Sequence, residues 1–482
     1  MATTEVPSGY VLPLFVGSAR PADAVPATAA QKLVLVGPAL SGTGSPSDPG
    51  SNDAAAALWG KGSAVHRMYM KAKAAYPTGQ IHGLGVADGA GTAREMTITY
   101  TASASAVAGT HRVRIGSEYV DVPLPAYASS TAATEHAGAL ACDALFPAVS
   151  DMLFKSKAAA TLGVATIKCR HLGEIGNQVR IATDEDTPVP TGWTATIVQS
   201  VAGATDPALV VANLGASTKW NKLAFALDAW YETFSAEMTA RWGWSRMLRG
   251  HAFSGKLDAT YDAAITDLTT TPRTCQAVTR LKLNAACRAP AFEAAAVLAA
   301  VAMQSDEVDP GLKIGGLTLP GCQAERIGSE YSESQRNAIT YFGGTTYFNA
   351  GGLMAIDRCV TTRYQDIYGN RDLRAYSAPK MWLVDYLLTD LRAFVYTYWA
   401  RVRLLARATG KVPASCTTPE SIHDCLVSWY KGHARVGLVQ GVELFDKNLT
   451  VTVPADDEER VDASLPADVA RNLELFAALM TY

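Results

Sequence analysis

The run KLVLVG at residues 32–37 is an unbroken apolar stretch behind one lysine, and the elements around it can be predicted outward from it. An apolar run that ends in glycine is typical of a buried strand. Residues 64–76 follow as a helix that Pro77 ends, and its apolar stripe is Val65, Met68, Tyr69 and Ala72. Residues 81–86 predict the next strand. Strand, helix and strand in this order predict an α/β core.

The pattern changes near Gly89. Residues 96–100 and 111–115 alternate between apolar and polar side chains, as half-buried strands do. An alanine-rich helix at about 132–153 separates them from further strand patterns at 165–169, 178–181 and 194–198. These residues predict a small β-rich domain inserted into the α/β core. A long helix predicted over 219–241 then returns the chain to that core.

The last third has its own strong helix, predicted from about residue 379 to 407. Ser377 precedes it as a candidate cap, and Gly410 follows its end. Its apolar stripe is Leu383, Leu387, Leu391, Phe394, Tyr398, Val402 and Leu405. The arginines at 401, 403 and 407 either face an anionic partner or, as is more common, solvate the helix end.

Charge and hydropathy exclude several classes of protein. The 482 residues carry 42 basic and 45 acidic side chains, a net charge of −3, which argues against a nucleic-acid binder. No apolar run reaches the 18 or so residues of a membrane span. The first residues show neither a basic nor an apolar region of a signal peptide. We therefore expect the protein to be made and at first kept in a cytoplasm, without membrane or nucleic-acid partners.

Motifs for catalysis and for cofactors are missing from the sequence. It contains no HExxH, GxSxG or GxxxxGK[ST] pattern, so we expect no catalytic, metal or cofactor site. The glycine-rich residues 83–89 are expected to form a turn. His66 and His423 are expected to be structural, and the acidic run 456–459 to be a solvated loop.

None of the eight cysteines shows the CxxC spacing of a metal or redox site. Cys142 and Cys425 lie in apolar helical patterns and are expected to be buried. Cys169, Cys322 and Cys416 lie in polar or Gly/Pro-flanked stretches, where a thiol is easier to reach. One interpretation is that all eight thiols are reduced and mostly buried. The alternative hypothesis is that some of these three form disulfides between subunits once an assembly leaves the cell.

Both ends of the chain carry apolar segments too short to form a core. The first is YVLPLFV at residues 10–16, and the second alternates near the C-terminus. Each either docks on its own domain or adds a strand to a neighbouring subunit. The residues expected to make arm contacts between subunits are Tyr10, Val11, Leu12, Leu14, Phe15, Leu473, Leu475, Ala477 and Leu479.

A series of motifs in a fixed order spans nearly the whole chain. It comprises WGKGSAVHRM at 59–68, GEIGNQVRI at 173–181, RAPAFEAAA at 288–296, LTLPG at 317–321, GGLMAIDR at 351–358, VTTRYQDIYGNRDLRAY at 360–376 and RVDASLPADV at 460–469. In this order they resemble the tail sheath proteins of contractile bacteriophages, in the Mu-like branch. The family signature falls on Thr361, Thr362, Gln365, Gly369 and Asp372. This copy has an additional Arg363, and Asp366 replaces the usual asparagine.

The resemblance implies a structural protein rather than an enzyme, with a multidomain α/β (α+β) fold. Subunits of this family stack as hexameric rings around a tail tube, exchange strands through their terminal arms, and contract to drive the tube through the host envelope. The implied partners are further copies of the chain, the tail tube protein, and the baseplate and terminator proteins of a virion tail. An α/β hydrolase-like enzyme, and the sheath of a related injection system such as an R-type bacteriocin or a type VI-like machine, remain as alternatives.

The resemblance and the patterns together predict five parts of the chain. They are an N-terminal arm at 1–20, an α/β sheath core at 21–89 and 206–320, an outward-facing inserted domain at 90–205, a tube-facing C-terminal α/β domain at 321–447, and a C-terminal arm at 448–482.

Overall fold

The computed structural model describes residues 30–42, 44–148, 152–209, 211–270, 275–366, 368–406, 412–413 and 415–474. Within this part of the chain, helices and several separate sheets form more than one layer. The strands are β1 (Lys32–Ala39), β2 (Gln80–Ala87), β3 (Glu95–Ala102), β4 (Gly109–Ile115), β5 (Glu118–Leu124), β6 (Phe154–Thr161), β7 (Val164–Cys169), β8 (Ile181–Thr183), β9 (Trp193–Val201), β10 (Lys222–Phe225), β11 (His251–Asp258), β12 (Val278–Asn284), β13 (Thr318–Gln323), β14 (Tyr347–Ala350), β15 (Leu353–Ile356), β16 (Arg403–Leu404), β17 (Cys416–Thr417), β18 (Val439–Gln440), β19 (Thr450–Thr452), β20 (Asp462–Ser464) and β21 (Asp468–Val469). The α-helices are α1 (Asn52–Trp59), α2 (Ala64–Ala75), α3 (Thr131–Ala148), α4 (Tyr231–Trp242), α5 (Tyr261–Thr270), α6 (Ala291–Val308), α7 (Glu333–Tyr341), α8 (Ala378–Trp399), α9 (Pro419–Arg435) and α10 (Val442–Asn448).

A five-stranded parallel sheet forms the centre of the molecule, in the order β12-β11-β10-β1-β2. Leu33 of β1 pairs with Lys222 of β10 on one side and with Ile81 of β2 on the other. The apolar residues 33–36 are fully buried because helices cover a parallel sheet of this kind. The predicted α/β fold class is therefore confirmed.

Helices α2 and α6 pack against each other and against this sheet. Every residue of α6 from Ala291 to Met303 is buried, and most are alanine, which allows close approach between helix and strand. Gly255 of β11 shows how close: a Cβ atom at this position would lie 2.2 Å from the carbonyl oxygen of Ala291. Only glycine fits there without displacing backbone.

Two antiparallel sheets lie between β2 and β10 in the chain. One has the order β6-β7-β3-β9 and the other the order β5-β4-β8. Helix α3 packs on strands of both. The alternating patterns near residues 96–100 and 111–115 thus mark real strands, each with one face buried.

Charge pairs join the β5-β4-β8 part of this block to the central layer. Arg67 of α2 donates to Glu293 of α6 at 2.6 Å and to Glu118 of β5 at 2.9 Å. Arg67 and Glu293 are almost fully buried, so each needs the other's charge. Arg288 adds a more exposed contact to Asp186 at 3.2 Å.

A second hydrophobic core lies in the C-terminal third, between α8, α9, α10 and the short strands β18–β21. Tyr430 of α9 stacks on Phe445 of α10, with their ring centroids 3.8 Å apart. Leu449 and Val469 are buried in the same core, and β21 pairs with β18. Residues 449–469, predicted to be part of a terminal arm, therefore pack on their own chain.

Several predictions of local structure are wrong in detail. The glycine-rich residues 83–87 belong to strand β2 rather than to a turn, and the strand predicted at 178–181 begins only at Ile181. The long helix over 219–241 does not exist, because residues 222–225 form β10 in the centre of the sheet and α4 begins only at Tyr231. The helix predicted to residue 407 ends at Trp399, and β16 follows. Ser377 precedes that helix without a capping hydrogen bond from its side chain.

No helix among the described residues combines the length and the apolar character that crossing a bilayer requires.

We predict that Gly255→Ala lowers the free energy of unfolding by about 1–3 kcal/mol, because its methyl group overlaps the backbone of α6. The matched control is Gly432→Ala in α9, where a Cβ atom would meet nothing within 4 Å. That change should be neutral or stabilise by up to about 1 kcal/mol, since alanine favours helix. Urea unfolding of both variants tests the prediction, and equal stabilities would contradict it.

Candidate functional site

The signature segment closes one edge of the central sheet. β12 is an edge strand, and its outer backbone groups pair with residues from later in the chain. The amide of Lys282 donates to the carbonyl of Thr345 at 2.9 Å, and the amide of Thr362 donates to the carbonyl of Val278 at 2.9 Å. The signature thus lies at a place where unpaired backbone would otherwise invite another strand.

The two signature threonines are fully buried, and their hydroxyls are satisfied by backbone. Thr361 donates to the carbonyl of Ala375 at 2.7 Å. Thr362 donates to the carbonyl of Cys275 at 3.2 Å and accepts from the Tyr231 hydroxyl at 2.8 Å. Threonine at both positions ties three separate stretches of backbone together without leaving a buried polar group unpaired.

The middle of the signature is a tight, exposed turn. The backbone amide of Tyr368 and that of Asn370 each donate to Oδ1 of Asp366 at 2.9 Å. Gly369 has φ +81°, which favours glycine. Gln365 and Arg371 pair across the turn. An aspartate here performs the acceptor role that an asparagine oxygen would also perform.

Asp372 is the ionic centre of the signature. Its carboxylate accepts from Arg374 at 2.9 Å and from the additional Arg363 at 3.1 Å. The hydrogen bonds from Arg374, together with the charge of Arg363, lower the pKa of Asp372 to about 2 although its burial opposes this. The carboxylate is therefore charged at any ordinary pH and holds the two ends of the turn together.

We predict that Asp372→Asn lowers the free energy of unfolding by about 1–3 kcal/mol at pH 7, because two guanidinium groups lose their anion. The folded pKa lies below the unfolded value, so this stabilisation is present above about pH 4 and is lost as the pH falls towards 2. Denaturation of the variant and the wild-type protein from pH 7 to pH 2 measures the difference. Asp366→Asn is the control and should be near neutral. A difference that stays constant across this pH range would contradict the prediction.

The densest charge cluster of the described residues lies on β11 and β12. Lys282 is fully buried and contacts Asp258 at 2.9 Å and Asp267 at 2.7 Å. Arg280 also binds Asp267 and reaches Asp228. Burial raises the pKa of Asp258, whereas Arg280 and Lys282 hold the pKa of Asp267 below its usual range against its own burial. Since each charge has a partner, the cluster joins strands and helices. None of the sequence motifs predicts this cluster, although alternating basic residues in the apolar run VTRLKLN are a signal.

Neither a metal centre nor a catalytic triad emerges from the described residues. No three His, Cys, Asp or Glu side chains there converge on a point that could hold a metal ion. One open cleft of about 510 Å³ lies between α9 and β19, with His423, Asp424 and the backbone of 449–452 in its lining. His423 approaches Asp424 only at 3.5 Å, and no serine or cysteine is among the lining residues.

The predicted arm contacts lie mostly outside the described residues. This holds for Tyr10, Val11, Leu12, Leu14, Phe15, Leu475, Ala477 and Leu479. Leu473 is described and is 68% exposed, although its backbone carbonyl accepts from Lys313 at 2.7 Å. The arm contacts themselves stay a prediction.

The predicted accessibility of Cys169 and Cys322 is wrong, because both thiols are 1% exposed. Cys169 ends β7, where Ala165, Ile167 and Cys169 share one buried face, and burial raises its pKa to about 12. Cys322 lies on β13 and points inward beside a register shift. Cys416 is partly exposed, as predicted, and so is Cys425, which was expected to be buried. Inter-subunit disulfides stay a hypothesis, and Cys416 is the most accessible of the three candidates.

We predict that a thiol reagent modifies Cys416 rapidly in the folded protein and Cys425 more slowly, since burial raises the pKa of Cys425. The six buried thiols should react only after denaturation. Cys416→Ser should abolish the rapid phase, and a rapid phase that survives would contradict the assignment.

The disulfide hypothesis has a separate test. If a cysteine links two subunits, assembled particles should show a cross-linked band on a non-reducing gel that reduction removes. Identical reducing and non-reducing gels would rule the disulfide hypothesis out.

Comparison with known proteins identifies a similar sequence. The chain matches no model of a known protein family. It is similar to the Mu-like prophage FluMu tail sheath protein of Haemophilus influenzae, with 24% identity over 324 residues. The predicted resemblance to a Mu-like tail sheath protein is confirmed. The match covers 65% of this chain and 64% of the relative, slightly less than two thirds of its length.

Solved structures of low sequence identity align with most of the chain. The sheath tail protein of Desulfitobacterium hafniense aligns with 95% of this chain and 97% of its own, at 10% identity and a TM-score of 0.46. The sheath tail protein of Listeria innocua aligns with 92% of each chain, at 10% identity and a TM-score of 0.47. A chain of the six-fold symmetrised anti-feeding prophage baseplate aligns with 100% of this chain and 99% of its own, at 11% identity and a TM-score of 0.45.

Proposed function

We propose that this chain is the sheath subunit of a contractile tail. It polymerises as stacked hexameric rings around a tail tube and contracts to drive the tube through a host envelope. The observation that carries the proposal is its similarity to a tail sheath protein over 324 residues. The signature segment adds support, since its buried threonines have a structural role and form no catalytic arrangement.

The short sheets of the C-terminal third support a role for strand exchange. β16–β17, β18–β21 and β19–β20 are each two-stranded, and no strand has more than three residues. Two-stranded sheets of this length are barely stable alone. A strand from a neighbouring copy of the chain could extend each of these sheets, and its main-chain hydrogen bonds would supply the affinity. We propose that the apolar residues at 10–16 and 473–479 supply these strands.

We propose one orientation of the chain in the tail. Residues 90–205 form the separate antiparallel sheets and would face outward. The C-terminal third would face the tube, and the end of α8 offers an exposed contact there: Tyr398 is 54% exposed, and Arg401 and Arg403 follow it at the surface. An aromatic and basic contact of this kind suits an acidic tube surface. The baseplate and terminator proteins would bind at the two ends of the tube, in a virion tail assembled in the host cytoplasm.

Contraction requires contacts of two strengths. Subunits must repack their globular faces, yet the sheath must stay in one piece while they do so. Exchanged strands keep the sheath in one piece because their hydrogen bonds move with the arms. The globular faces can repack during contraction. Energy stored in each subunit on assembly sums over many rings, so no nucleotide has to be bound.

We predict that the purified full-length chain forms long hollow tubes in electron micrographs, whereas a version without residues 1–18 forms rings or monomers. The physical reason is that the apolar residues at 10–16 are lost as a donated strand. A version without residues 1–6 keeps this segment and serves as the matched control, which should still form tubes. Uniform monomers from all three versions would overturn the proposal.

A further inference from the structure

The first described residues are fixed at the end of α6. The side-chain amide of Gln31 donates to Oδ2 of Asp306 at 2.8 Å, and its backbone amide donates to Glu307 at 2.8 Å. Gln31 and Asp306 are both more than 90% buried. Gln31 is therefore held by a specific buried contact, and β1 begins at the next residue.

The last described residues are fixed at the turn that follows the same helix. The side-chain amide of Asn472 donates to the carbonyl of Gly311 at 2.8 Å. Lys313 donates to the carbonyl of Leu473 at 2.7 Å, and Arg358 lies 3.9 Å from Glu474. Gln31 and Asn472, 441 positions apart in the sequence, thus meet at one turn.

Asp306 and Gly311 connect the two contacts directly. Asp306 uses one oxygen for Gln31 and for Lys222, at 2.8 Å each, and the other for the backbone amide of Gly311 at 3.2 Å. The carbonyl of that same glycine accepts from Asn472. A chain of three hydrogen bonds therefore runs from Gln31 to Asn472.

The turn is itself held in one conformation. Gly311 has φ +81°, and a Cβ atom there would lie 2.6 Å from Cβ of Leu383 in α8. Lys222, which binds Asp306, also lies 4.2 Å from the centre of the Trp382 ring. The turn is thus clamped between the sheet and α8, so a shift at one contact moves the other.

We propose that the turn at residues 306–313 is a shared anchor that couples the roots of the two terminal arms within each subunit. This inference deepens the proposed function and rests on it, because only an exchanged arm carries load. Load that enters by one arm passes through three hydrogen bonds to the other arm. The sheet is bonded to this anchor through Lys222, whereas the antiparallel sheets of the inserted domain lie outside the path.

The coupling is testable in the folded monomer by hydrogen exchange. Gln31→Ala should speed exchange about fivefold or more at the amide of Gly311 and in peptides covering 470–474. Asn472→Ala should speed exchange reciprocally at residues 31–33, as coupled sites require. Asn448→Ala is the matched control, since it removes a similar amide-to-carbonyl contact to Leu444 elsewhere. Effects confined to the substituted end would overturn the proposal.

A double-mutant cycle in the assembled state tests the same coupling under load. We expect Gln31→Ala and Asn472→Ala each to raise the critical concentration for tube formation, and the double variant to raise it clearly less than the product of the two. The pair of Gln31→Ala with Asn448→Ala should be multiplicative. A multiplicative first pair overturns the shared anchor. A wild-type chain that forms no tubes overturns the proposed function instead, and the exchange experiment still decides the anchor.

Discussion

The central sheet imposes one constraint on the rest of the structure: the backbone groups at its edges must find partners. Five parallel strands buried under helices cannot leave an outer strand open to the solvent. At β12 the partners come from Thr345 and from the signature segment at 361–362. This explains why the most recognisable motif of the chain contains buried threonines and a charged turn. Its role is to close a sheet, and closing the sheet also connects the C-terminal third to the core.

The elements that the sequence predicts well are those whose pattern is complete within one stretch of chain. β1, α2 and β2 follow from unbroken apolar runs and a clear helical stripe, and the alternating strands of the inserted block follow from their period of two. β10 could not be found in this way. It has only four residues, and the apolar pattern around 222–225 is equally compatible with the helix predicted over 219–241. What makes it a strand is the slot between β1 and β11, which only the folded sheet provides.

The same division applies to the candidate site. The signature residues were found from their order, but nothing local shows that Thr362 meets Val278 or that Arg363 and Arg374 share Asp372. The cluster around Lys282 was missed because its partners come from three separate elements. The burial of Cys169 could be predicted from the sequence, since the strand pattern at 165–169 places its thiol on the apolar face. The polar residues that follow it suggested exposure, yet alternation within the strand outweighs the character of its neighbours.

Two kinds of contact divide the molecule in a way that suits a moving part. Within the core and within the C-terminal third, large apolar contacts stand beside the charge cluster on β11 and β12, as in α6 against the sheet or Tyr430 against Phe445. Between the inserted sheets and the core, the specific ties include ionic pairs such as Arg67 with Glu118 and Arg288 with Asp186. The pair of Arg288 with Asp186 is the more exposed of the two and costs less to break and re-form, whereas Arg67 is almost fully buried and would leave an uncompensated charge. A packed apolar face has few alternative arrangements. A subunit that must rearrange under load would therefore move at the exposed ionic tie first. The anchor at 306–313 combines both kinds of contact, since a buried carboxylate is clamped by packing, and this combination would let it transmit a load without yielding.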